Sequence, residues 1–154
     1  LEAQGSIIPN ALQIATIGTI SGTFDHILLV GEIFQAHLEG RDHSHRSRHR
    51  QEVRAFDFVA EELRRMNAHY VAYADGLSDD ALGETVTFTF VGGGEGAMTR
   101  AEILLHLVNH ATYHRGFVST LIFPLRAGGG ANDLTVFLRD AWPILVREDP
   151  SLLG

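Results

Sequence analysis

The chain has 154 residues, with twelve Lys plus Arg against nineteen Asp plus Glu for a formal charge of −7. One domain's worth of length with 45% hydrophobic and 20% charged residues excludes a disordered chain, and the acidic balance excludes non-specific phosphate-backbone binding, which needs a positive surface. The absence of cysteine excludes disulfides, thiolate metal sites and Cys nucleophiles, and nine histidines against two methionines are the one compositional oddity.

Residues 1–18 read as an irregular or truncated N-terminal segment, with Pro9 and Asn10 breaking short apolar runs. They lack the basic stretch that opens a secretory signal, and no segment reaches the ~18 uninterrupted apolar residues of a membrane span. The expectation is a cytoplasmic protein with no membrane partner and no nucleic-acid partner. From about Thr19 to Leu38 the pattern is helical, with Phe24, Ile27, Leu28, Val30, Ile33 and Phe34 at spacings of three and four and Gly40 as the stop. Residues 41–50 form a polar, mostly basic connector. A long helix follows over Gln51–Ala74, with Val53, Phe56, Val59, Ala60, Leu63, Met66, Tyr70 and Tyr73 on one face.

Gly76 to Asp80 is turn chemistry, with room for one helical turn after Ser78. In Thr85–Val91 the residues Thr85, Thr87 and Thr89 alternate with Val86, Phe88 and Phe90, which predicts one short strand running into Gly92-Gly93-Gly94. Thr99 and Glu102 form a capping box ahead of a helix that continues to about Phe123, where Pro124 and then Gly128-Gly129-Gly130 end it. Asn132 or Asp133 can cap a final short helix through about Ala141, ending near Pro143. No repeat occurs at solenoid periods. The fold expected is all-α, a bundle of long helices in a single domain over residues 1–154.

The helix predicted after Thr99 carries His106, His110 and His114 at successive spacings of four. Residues four apart share a face with Cβ atoms about 5–6 Å apart, so two such imidazoles can reach one metal ion. At about 100° per residue, with His110 at zero, His114 falls near 40° and His106 near −40°. The stripe of Ile103, Leu107, Phe117 and Leu121 is centred between His110 and His114, so these two point inward and His106 lies on the flank, as a rim or outer-shell residue. His26 shares a face with Leu29, Val30 and Ile33 and points inward as well. One His facing a His-x-x-x-His pair gives three nitrogen ligands with coordination positions left open, the mark of a reactive rather than a structural ion. The alternative is a set of histidines that merely pack or face water. Burying two imidazoles without a common purpose incurs desolvation twice.

Three stretches carry a family resemblance. Thr23-Phe24-Asp25-His26-Ile27-Leu28, the segment Leu105 to Gly116 with its His110-x-x-x-His114-Arg115-Gly116 core, and Asn132 to Arg139 together resemble the DinB-like family of small metal-binding helical bundles. The resemblance spans about residues 19–140. It implies an up-down-down-up four-helix bundle, frequently a homodimer, in which His26, His110 and His114 hold a divalent metal, often nickel or zinc; by their chemistry three neutral nitrogens also suit iron or copper. It also implies a thiol-dependent transferase or isomerase acting on a small molecule such as a low-molecular-weight thiol, in a stress-related setting. The alternative is a non-catalytic metal-binding bundle acting as sensor or interaction module.

Two departures stand out. Phe117 occupies the place of a usual Gln after His-Arg-Gly, and the family's opening helix with its Trp-Ala pair is not found in residues 1–18. A shortened or missing first helix leaves an apolar face for a partner subunit or the N-terminal segment to cover.

Weaker signals complete the reading. Asn109 and Arg115 flank ligands in sequence and are candidates for the outer shell or rim, Arg115 also as an anion binder. Asp25 neighbours His26 but points about 100° away from it on a helix. His43, His45 and His49 sit among arginines in the connector, which reads as a solvated loop or as a rim that attracts an anionic substrate. The Gly92–Gly96 run lacks the Lys-Ser/Thr ending of a phosphate loop.

Overall fold

A helix apolar on nearly every side belongs in the middle of a protein. In the computed structural model, which describes residues 11–123 and 133–150, that helix is α1, Ala11–Leu38, whose Leu28, Leu29, Val30, Ile33, Phe34, Ala36 and Leu38 are all buried. By length and composition the stretch Ile14–Leu38 could also cross a membrane, but here its second half is the core of a helical unit. The helix starts eight residues before the Thr19 expected, so residues 11–18 are helical rather than irregular. That start follows directly on the Pro9-Asn10 pair, which reads in the sequence as a break between apolar runs rather than as a helix start. Residues 1–10 lie outside the described residues, as do the expected stops at Pro124 and Gly128–Gly130 and the Asn132 cap.

The described chain falls into two compact units, Leu1–Val118 and Ser119–Gly154. In the first, α2 spans Phe56–Asp75, starting five residues after the predicted Gln51. The segment 51–55 is instead extended connector, and Val53 is 53% exposed. α2 lies close against α1 at Gly31, where an added Cβ would come within 3.3 Å of Met66 Cγ, and the Tyr70 hydroxyl donates to the Gly31 carbonyl at 2.8 Å. Burial raises the Tyr70 pKa above its ordinary value, so the hydroxyl stays a donor at any physiological pH. Ser78 accepts from the Ala81 amide to cap α3, Asp79–Leu82, the single turn expected there.

A two-stranded antiparallel hairpin follows, β1 over Thr85–Thr89 and β2 over Glu95–Thr99. The sequence predicted only the first strand. Glu95-Gly96-Ala97-Met98-Thr99 has little intrinsic strand preference, and its pairing is imposed from outside. Gly93 and Gly94 reverse the chain at φ of 89° and 92°, values that glycine adopts without strain. Gly96 faces Phe88 across the ladder, where a Cβ would come within 2.6 Å of the ring.

The capping box forms as expected: the Thr99 amide donates to Glu102 Oε2 at 2.7 Å, and the Glu102 amide donates to Thr99 Oγ1 at 3.2 Å. It opens α4, Arg100–Ile122. Arg100 donates to the Leu38 carbonyl at 3.1 Å, to the Tyr73 hydroxyl and to Glu84 at 3.1 Å. This one side chain ties the start of α4 to the ends of α1 and α2. Val30, Phe34, Leu38, Phe88 and Ile103 make the buried cluster that joins α1, β1 and α4. Full burial of side chains of this kind contributes about 1.5–3 kcal/mol each.

In the second unit, Asp133 precedes a helical stretch of α5, Leu134–Val136, a π-turn over Phe137–Ala141, and α6, Trp142–Glu148. The Asp133 side chain makes no cap hydrogen bond. The stretch runs past Pro143 instead of ending near it, because Pro143 falls in the first turn of α6, where its missing N–H has no helical partner to lose. Across the described residues the protein is mostly helical with one small sheet.

Candidate metal centre

Position 26 of α1 and positions 110 and 114 of α4 meet in space. One ligand atom from each of His26, His110 and His114 lies within 4.8 Å of the others, and this is the one such group of three among the described residues. His26 Nε2 and His110 Nε2 are 3.1 Å apart. Two nitrogens sharing a tetrahedral ion at Zn–N lengths of ~2.0–2.1 Å stand about 3.3 Å apart, so the pair already has the spacing of common ligands. The rings are 4.5–5.0 Å apart and cross edge to face. The sequence-derived triad is therefore assembled, and its donors suit a borderline divalent ion.

The orientation of His26 is set by the connector. His26 Nδ1–H donates to the Arg48 carbonyl at 2.6 Å, which leaves the Nε2 lone pair free to face the triad. Histidines that bind metal almost always donate their second nitrogen in this way. The His49 ring stacks on His26 at 4.6 Å and an interplanar angle of 17°. Connector residues 48 and 49 thus fix the first ligand from behind, although His49 itself is exposed.

The connector is itself held by ion pairs. Asp25, 3% exposed, accepts from Arg54 Nε at 2.9 Å, Arg54 Nη2 at 2.5 Å and Arg50 Nε at 3.3 Å. Glu32 takes the other face of Arg50 and stands 3.8 Å from Arg54. Two carboxylates of α1 clamp two arginines of the following segment. Asp25 does not touch its neighbour His26, as its position on the helix implies, and supports it through the clamped connector. Nothing local in the sequence signals this, since 29 residues separate Asp25 from Arg54.

The flanking candidates fare differently. His106 is not a ligand of the triad; its ring lies 5.7 Å from that of His110 and 5.0 Å from that of Phe34, on the flank as expected. Asn109 is exposed and lines neither cavity at the triad. Arg115 is turned along its own helix, donating to Thr112 Oγ1 at 2.8 Å. Phe117, which the apolar stripe would bury, is 44% exposed and forms a wall of the outer cavity.

Two cavities meet at His26 and His114. One, of about 400 Å³, is bordered by Thr19, Thr23, Arg50, Val53, Tyr113 and Phe117. The other, of about 740 Å³, reaches toward the hairpin between Val30, Ile33, Phe34, Phe90 and Met98, with His106 and His110 on its wall.

Burial holds all three imidazoles below the usual value of 6.5. The effect is largest at His110, pushed down to about 4 by desolvation and then by its proximity to His114, His26 and His106. Neutral nitrogens are what a metal requires, because protons compete for the same lone pairs. A folded pKa below the unfolded one means that the unfolded chain takes up protons first as pH falls. The stability linked to neutral His110 is complete above 6.5 and is lost as pH drops toward about 4. Thermal melts of the metal-free protein are expected to be flat from pH 8 to 7 and to fall across that lower window, less steeply in His110→Gln. Equal slopes for the two proteins would contradict the assignment.

The DinB family model matches residues 10–143 of the chain. Comparison with curated proteins and with solved structures returned no match.

Proposed function

The chain belongs to the DinB family, and from that premise we propose a divalent-metal-dependent enzyme of thiol or small-molecule transfer or isomerisation, with zinc or nickel held by His26, His110 and His114. The observation that carries the reading is the triad itself: three neutral imidazoles from two helices, one fixed by a backbone carbonyl, at the junction of two cavities. An ion in such a site supplies a Lewis acid that lowers the pKa of a bound thiol or water.

Both cavities present mainly apolar surface with a few polar groups. The cavity bordered by Thr19, Thr23, Arg50 and Tyr113 offers hydroxyls and one edge of a guanidinium to a polar thiol. The cavity toward the hairpin sets Val30, Ile33, Phe34, Phe90 and Met98 beside its histidines, room for a second small molecule. The family's up-down-down-up arrangement and a homodimer belong to the same proposal. Leu105 and Val108 of α4, 60% and 62% exposed, supply apolar surface for a second copy.

One observation favours a non-catalytic reading. Asp25, the carboxylate bordering the cavity of Thr19 and Tyr113, is spoken for by Arg50 and Arg54, so no free carboxylate stands there as acid or base. Assays of zinc- and nickel-loaded protein with several low-molecular-weight thiols and electrophiles separate the two. Thiol transfer that disappears in His114→Ala supports the enzyme. Bound metal with no turnover on any pair leaves the sensor or interaction module.

A further inference from the structure

The arginines of the connector divide into two groups. Arg41 is ion-paired with Glu39, and Arg50 and Arg54 are clamped by Asp25. Arg46 and Arg48 have no carboxylate partner among the described residues.

Arg48 borders the cavity of about 740 Å³ that reaches from the triad toward the hairpin. No Asp or Glu borders that cavity among the described residues, so Arg48 is its one permanently charged residue. Burial lowers the His26 pKa most, and the charge of Arg48 lowers it further, which puts this guanidinium near the first ligand. Burial also keeps His37 and His106 of the same wall uncharged near neutrality. A cleft with charge of one sign between apolar walls focuses its field. It draws in the opposite charge even where the whole chain carries −7.

The positive sign continues beyond this cavity. His37, Phe90 and Val91 also border the cavity of about 570 Å³ at the end of α1, where Arg41 and Arg46 face one carboxylate, Asp42. The planar fork of arginine matches the paired oxygens of a carboxylate or phosphate, and its charge does not titrate away. The His26 ring is held by the Arg48 carbonyl and not by its side chain, so the guanidinium can take a ligand without loosening that contact.

We propose that the cavity beside the triad takes a small oxyanion, a compound whose carboxylate or phosphate binds the Arg48 guanidinium while its body lies against Val30, Ile33 and Phe34. This deepens the function proposed above and rests on that reading for the reaction, whereas the binding step needs the cavity alone.

The test is NMR titration of the full-length chain, metal-free and zinc-loaded, with succinate, inorganic phosphate and neutral succinamide. Succinate or phosphate is expected to bind both forms at one site, shifting the amides of residues 46–49 and the His106 ring, and succinamide is expected to leave them in place. Whichever anion binds separates a carboxylate ligand from a phosphate one. Arg48→Gln is expected to weaken that binding by about 10-fold or more, the loss of a charge-assisted contact. Arg48→Lys is expected to weaken it less, since it keeps the charge and loses the fork. Circular dichroism establishes that each variant is folded, and the lysine variant carries the test if the glutamine variant is not. The wild type and both variants are expected to bind zinc equally. Failure of all three to hold zinc would sink the function proposed above, while the metal-free titration still decides the anion site. Binding of neither anion, equal binding of succinamide, or undiminished affinity in the folded Arg48 variants overturns the proposal.

Discussion

Replacing His110 by alanine is expected to weaken zinc or nickel binding by more than about 100-fold, since loss of an outer-shell partner alone costs 10–100-fold and His110 is a ligand. The same change is expected to remove the metal's contribution to stability. A ligand present at 1,000 times its dissociation constant stabilises the folded state by about 4 kcal/mol. At about 2–4 °C per kcal/mol for a chain of this size, the wild type is expected to melt roughly 10 °C higher with metal than with chelator. The variant is expected to melt at one temperature in both conditions. Its metal-free melting point should lie near that of the metal-free wild type, because alanine removes a half-buried imidazole whose nitrogen contact is with His26 at 3.1 Å. Differential scanning calorimetry with and without chelator checks both statements. A wild type indifferent to chelator, or a variant that still gains stability from metal, would refute the site.

The two halves of the triad were legible for different reasons. His110 and His114 follow from local periodicity alone: a spacing of four on a helix fixes a common face whatever the surroundings. His26 was legible because the apolar residues of α1 surround it, and a residue on a core-facing helix has few places to point. Residues held by long-range contacts were not legible. The second strand, Glu95–Thr99, exists because Val86 and Phe88 pair opposite its Met98 and Gly96, a property of the partner strand. The docking of the connector depends on Asp25 meeting Arg50 and Arg54, and nothing in a basic His-Arg run distinguishes arginines that will be clamped from arginines that stay in water. Phe117 shows the opposite error. It shares the angular sector of inward residues, yet its side chain borders a cavity instead of core, a distinction invisible to any wheel.

Asp25→Asn is expected to destabilise the protein by about 3 kcal/mol, the lower end of what breaking a buried ion pair costs. The lower end applies because the partners are partly hydrated: the Arg50 and Arg54 side chains are 24% and 27% exposed, whereas Asp25 is 3% exposed. The substitution preserves shape and removes the charge, so two guanidinia remain facing Glu32 as their one carboxylate in the clamp. Urea unfolding of the metal-free protein measures the loss, and Arg54→Met in the same chain is expected to recover part of it, since the pair is coupled. A second consequence follows from the route by which Asp25 acts. With the clamp weakened, the Arg48 carbonyl no longer holds His26 Nδ1, and zinc affinity is expected to fall by about 10–100-fold although no ligand has changed. Full metal affinity in a destabilised Asp25→Asn would show that the carboxylate serves folding alone. Reduced affinity at a temperature where both proteins are fully folded makes it the residue that carries the order of the connector to the metal.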